Sequence, residues 1–154
     1  MTAAADIAAA LLQHGHTQQA VEVLSGEPAL TDLGRYWLFE AHLACGSRAA
    51  AVAELTTLEP AAASVGFALV GRARLALLDD TPAAALTLLA RLATDNAWPY
   101  VELTRADALV ALGRIDEAQA AMDRAVARAT FDIRAHAAAM GRPAATLAAA
   151  RPDR

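Results

Sequence analysis

Four stretches of the chain align on one pattern, centred on Gly15, Gly46, Asp80 and Gly113 at spacings of 31, 34 and 33 residues. Five residues after each centre stands an alanine: Ala20, Ala51, Ala85 and Ala118. Four residues further on comes a large apolar side chain: Leu24, Leu55, Leu89 and Met122. A period near 34 is the signature of stacked helical hairpins, in which each unit cannot bury its apolar face alone and neighbours close it. This period predicts an all-α fold, a solenoid of about four hairpins.

Composition agrees. The chain has 154 residues, 44 of them alanine and only 14 glycine or proline. Alanine loses least on entering a helix and lets helices approach closely. The apolar content is inflated by alanine, and the longest charge-free, apolar-leaning run, Pro60 to Gly71, is shorter than the roughly 18 residues a membrane span needs. No membrane association is expected. Asp6 interrupts the first alanine run, and no basic segment precedes it, which makes a poor signal peptide. A lone Cys45 makes no internal disulfide. These features fit a cytoplasmic protein. The absence of lysine beside 13 arginines fits GC-rich, bacterial-type coding. The net charge of -4 argues against a nucleic-acid surface, which needs a basic stripe.

One domain is expected over 1–150. Its hairpins fall at about 2–26, 32–58, 62–93 and 99–129, followed by a capping helix at 131–140 and a tail at 141–154. Glycine suits the left-handed residue that ends a helix. Ser47 and Thr81 read as N-caps, and Pro82 stands at a first helical position. Pro28, Pro60 and Pro99 fall between units.

The segment Ala111-Leu112-Gly113-Arg114-Ile115-Asp116-Glu117-Ala118, continuing to Met122 and Ala125, resembles the turn and second helix of a tetratricopeptide repeat. Leu11–Ala20, Leu43–Leu55 and Leu78–Leu92 resemble it more loosely, the last with Asp80 in place of the turn glycine. The small residue of the first helix falls at Ala8, Ala73 and Ala106, whereas the second unit carries Phe39. The resemblance covers about 1–129 and implies a right-handed α-solenoid whose first helices line a concave groove. Carried onto this chain, the groove residues are Leu33, Tyr36, Glu40 and Leu43; Phe67, Val70, Arg74 and Leu77; and Tyr100, Leu103, Asp107 and Val110. Their three-four-three spacing places each set on one helix face. The first unit adds only Thr2, Ala5, Ala9 and Leu12.

Two readings of this surface compete. In one, Glu40, Arg74 and Asp107 form an internal salt-bridge ladder and the aromatic rings fill a closed interior. In the other, a peptide or protein partner lies in the groove, with the aromatic rings as anchors and the charges setting register. Self-association through the first hairpin, around Ala8–Leu12, or through the cap is a further expectation, giving a homodimer. A clamp for acidic chaperone tails, known in this family, needs lysines and asparagines. This chain has no lysine and a single asparagine, Asn96.

No catalytic, cofactor or metal site is expected. His14 and His16 lack a third ligand nearby, and zinc needs three or four. Asp79-Asp80 reads as helix-start chemistry. Cys45 has no base beside it and is expected to be a small buried hydrophobe. His42 and His136 are expected to pack or face solvent. Trp37 adjoins the groove, and Trp98 is expected to wedge between units. No phosphate-cradling loop or nucleophile elbow is present.

Overall fold

The computed structural model describes residues 4–61, 65–93 and 96–147, and among these it is all-helical. The expected start of the third hairpin at 62–64, Thr2 of the first-unit groove set and the tail beyond 147 lie outside the described residues. The elements are α1 (Ala4–Gln13), α2 (Thr17–Ser25), α3 (Asp32–Ala44), α4 (Arg48–Leu58), α5 (Val65–Leu78), α6 (Pro82–Leu89), α7 (Pro99–Ala111), α8 (Ile115–Arg128) and α9 (Ile133–Ala139). A single 3-10 turn, Pro143–Thr146, follows. Among the described residues, no helix is long and apolar enough to cross a membrane.

The residues that open the repeat control the turns. Gly15, Gly46 and Gly113 all lie at φ between +74° and +79°, and Asp80 lies at +57°. At each, two backbone bonds fold the chain back. Gly15 N–H donates to the Leu12 carbonyl and His16 N–H to that of Leu11. The same pair recurs at Gly46–Ser47, Asp80–Thr81 and Gly113–Arg114. This double closure satisfies carbonyls that a helix end leaves open. A fifth copy stands at Gly141 (φ +64°), where Gly141 N–H reaches Ala138 O and Arg142 N–H reaches Ala137 O. It ends α9 as the other four end their helices.

The expected N-caps work differently. The Ser47 side chain makes no capping bond. The Thr81 hydroxyl points back and donates to Ala76 O at 2.9 Å, so it closes α5 rather than opening α6. The tight turn explains this, since its residues are already committed to the preceding helix. Side-chain caps occur instead where a helix starts from a longer connection: Thr31 accepts from Gly34 N, and Asp132 from Ala135 N, each at 3.0 Å. Pro82 and Pro99 occupy first-turn positions as expected. Helix α6 stops at Leu89 rather than Ala93, because Arg91 and Leu92 bond three residues back and tighten the chain out of the helix.

The chain divides into two compact units, Met1–Gly71 and Arg72–Arg154. In the first, α3 packs on α1, α2 and α4. In the second, α7 packs on α6 and α8, and the 3-10 turn lies against α7 and α9. The repeat alanines Ala20, Ala51, Ala85 and Ala118 are fully buried, as are Leu55, Leu89 and Met122, with Leu24 nearly so. The small first-helix residues Ala8, Ala73 and Ala106 are buried too, and Phe39 is equally buried in their place. At Gly71 on α5, a Cβ would come within 2.3 Å of Leu55 Cδ2. The glycine is what lets α5 lie this close to α4.

Candidate functional site

Helix α3 begins at the Thr31 cap, where the missing Cβ of Gly34 leaves room for Leu30 and the Thr31 hydroxyl. One turn on, Tyr36 is wholly buried and its hydroxyl donates to Glu40 Oε1 at 2.7 Å. The Tyr36 ring packs against Trp37 and Phe39, with centroids 5.6 Å away in each case. Trp37 is therefore core. Glu40 is 2% exposed, and a carboxylate so placed needs such a donor. Leu33 and Leu43, at the two ends of this face, are half-buried. On α5, Val70 is buried and Phe67 half-buried. Arg35 joins α3 to α4 through Glu54 at 2.8 Å.

In the second unit the corresponding face of α7 is covered by the chain's own C-terminal segment. Asp107, fully buried, accepts from Arg142 Nε at 2.6 Å through Oδ2 and from the Ala144 backbone N–H at 2.8 Å through Oδ1. Arg142 also donates to Thr104 Oγ1 at 2.9 Å, and the Thr104 hydroxyl donates to Tyr100 O at 2.7 Å. The Tyr100 hydroxyl lies 3.1 Å from His136 Nε2. Around that contact, Trp98, Phe131 and His136 place rings 5.4–6.0 Å from the Tyr100 ring. Leu103 is buried and Val110 half-buried, while Arg74 and Leu77 on α5 are half-buried.

The expected ladder of Glu40, Arg74 and Asp107 left out two partners of its carboxylates. The buried partner of Asp107 is Arg142, and Tyr36 donates to Glu40. Arg142 lies in what reads as a tail after a helix-ending glycine. The Gly141 turn, however, aims it back at α7, where a bidentate acceptor and a hydroxyl await its fork. Trp98, the residue before α7, is half-buried with its ring beside that of Tyr100. His136 packs, as one of its two expected roles required. Cys45 is exposed rather than buried, because it caps α3 at the turn with its Sγ toward Gln18. His14, His16, Asp79 and Asp80 are exposed. Among the described residues no three His, Cys, Asp or Glu side chains gather as a metal site.

Sequence reasoning missed one further cluster. Glu102 on α7, 1% exposed, accepts from three arginines: Arg105, Arg124 (Nε, 3.1 Å) and Arg128 (3.4 Å). Arg128 also holds Asn96 O at 3.0 Å. The available signal was an i,i+3 pair, Glu102–Arg105, beside an i,i+4 arginine pair on the next helix. At the surface, Arg114 grips Glu117 with two bonds of 2.5 and 2.7 Å. The hydrogen bond from Arg114 holds the Glu117 carboxyl below its usual range, and Glu117 raises Arg114 in turn.

No protein-family model, curated protein or solved structure matches the chain.

Proposed function

We propose that the chain is a non-enzymatic interaction module, a right-handed α-solenoid of tetratricopeptide-like hairpins that binds a protein or peptide partner on the faces of its first helices. One observation supports this reading above the others. One face of α7 already holds a short segment of polypeptide, Arg142–Ala144, with Arg142 Nε and the Ala144 backbone N–H donating one to each oxygen of the Asp107 carboxylate. A surface that engages main chain and side chain together is equipped for peptide recognition. Because Tyr36, Glu40, Val70, Tyr100, Leu103 and Asp107 are buried, the partner meets the half-buried rim of each unit taken by itself: Leu33, Leu43 and Phe67 in the first, and Arg74, Leu77 and Val110 in the second.

The test is affinity capture from native lysate with wild type and a Leu33→Ser/Leu43→Ser/Phe67→Ser variant, checked for unchanged helical circular dichroism. Loss of a captured partner by a folded variant supports the reading. Retention of the partner refutes the rim as its site.

Self-association is a second reading. Ala8 and Leu12 are buried within their own unit, but Ile7 is 43% exposed and Leu11 half-buried beside it on α1. Exposed apolar groups of this kind favour an interface. Sedimentation that shows only monomer at high concentration excludes it.

A further inference from the structure

A cavity of about 310 Å³ opens between α6, α7 and α8, away from every groove residue. Its apolar walls are Leu86, Leu109 and Ala120. Its polar lining is three guanidiniums, Arg105, Arg114 and Arg124, against one carboxylate, Glu117. The chain as a whole carries -4, so this concentration of positive charge runs against the average.

The three arginines are held differently. Arg105 and Arg124 are anchored on buried Glu102, which also takes Arg128. Anchoring fixes the forks before any ligand arrives, which lowers the ordering cost of binding. Arg124 uses Nε and one terminal nitrogen on Glu102, and Arg114 uses the same pair on Glu117. Each fork has five N–H donors, so the remaining edge of each is left for an acceptor. Both side chains are nearly half exposed, at 49% for Arg114 and 46% for Arg124.

Spacing sets the ligand's shape. Arg114 caps the start of α8 and Arg124 lies ten residues along, roughly 15 Å of helix. Both line the same cavity, with Ala120 between them along the helix and Leu109 on α7 in the same lining. A cavity near 300 Å³ is at the small end of ligand-binding sites. We propose that it binds a small dianion whose two oxyanion groups, carboxylate or phosphonate-like, are joined by a short apolar spine. One group lies on Arg114 and the other on Arg105 and Arg124, with the spine along Leu86 and Leu109. Glu117 competes with the ligand for Arg114 and sets the affinity. This site shares no residue with the proposed partner rim, and the two readings stand or fall separately.

The probes are the straight-chain dicarboxylates from succinate to suberate, a short alkyl bisphosphonate, acetate at matched ionic strength, and an amidated peptide carrying two glutamates. Binding is read by calorimetry and by amide chemical shifts. Saturable binding that peaks at one chain length, with shifts gathered at Leu86, Arg105, Leu109 and Ala120, supports the proposal. Acetate is then weaker by about tenfold or more. Arg114→Gln, whose partner is at the surface, weakens binding about tenfold with melting unchanged, and Glu117→Gln tightens it. Comparable binding of acetate, an unaffected Arg114→Gln protein, or binding of the peptide alone overturns the proposal.

Discussion

Replacing Asp107 with asparagine tests the closure of α7 most directly. The two side chains have the same shape, so packing is kept and only charge and hydrogen-bond sense change. In the wild-type protein Asp107 accepts from Arg142 on one oxygen and from Ala144 N–H on the other, with Arg142 only 3% exposed. An asparagine keeps one acceptor and sets an NH2 against the other donor. The Arg142 guanidinium is then buried opposite a neutral amide, and Thr104 is its remaining hydrogen-bond partner in that contact. Breaking a buried pair from one side costs about 3–5 kcal/mol.

That cost has a ceiling set by position. Arg142 follows the Gly141 turn, and the segment from α9 onward can leave α7 and carry the charge into water. The loss then equals the docking free energy of α9 and the 3-10 turn, including the Tyr100–His136 contact. Two measurements separate the cases. Urea denaturation reports the total, and a loss of 3 kcal/mol corresponds to roughly 6–12 °C in melting for a chain of this size. Amide exchange locates it: in Asp107→Asn, protection at Arg142 and Ala144 collapses while that of α1–α4 is kept. The double variant Asp107→Leu/Arg142→Met removes both charges and recovers most of the loss. If Asp107→Asn costs less than about 1 kcal/mol and exchange at Ala144 is unchanged, the buried pair does not hold the segment and the reasoning fails.

Three more outcomes are expected. Asp80→Gly relieves a left-handed residue that carries a Cβ and raises stability by about 1 kcal/mol in denaturant melts, whereas Gly113→Ala lowers it by a similar amount. Gly71→Ala drives a methyl into fully buried Leu55 and costs about 1–3 kcal/mol despite alanine's better helix propensity, and Leu55→Ala in the same chain reverses its sign. The Glu117 carboxyl titrates by NMR below the ordinary glutamate range, and Arg114→Gln returns it there. Since the folded value is the depressed one, this pair's small contribution is present above the ordinary pKa and fades as pH falls through the folded value.

The helix pattern was legible because its signals are local. Glycine five residues before a buried alanine, or proline at a helix start, acts through its own backbone, and α3, α4, α7 and α8 fall within a few residues of their expected bounds. Even Asp80 was readable, as an acidic residue standing where three glycines stand elsewhere. The partners of charged side chains were not legible. Asp107 meets a residue 35 positions later, and Glu102 meets one 26 positions later. Each of those pairings depends on where the Gly141 turn or the α7–α8 packing aims a long side chain. Periodicity carries no record of that. It placed Tyr36, Glu40, Tyr100 and Asp107 on common faces, and the same periodicity fits a buried stripe equally well. Cys45 shows the converse error: an apolar-seeming residue at a helix end has no neighbour to cover it.

The recurrent turn bears on time as well as shape. Each of the five turns is closed by bonds spanning three and five residues, so the chain needs no distant contact to reverse direction. Folds built from such short-range closures cross low entropic barriers and assemble rapidly. The turn between α1 and α2 has both of its bonding partners once His16 has been synthesised. The order in which the ribosome delivers the hairpins is then an order in which they can form. The segment that closes α7 comes last: until Arg142 arrives, Asp107 waits without the guanidinium it is buried against in the finished protein.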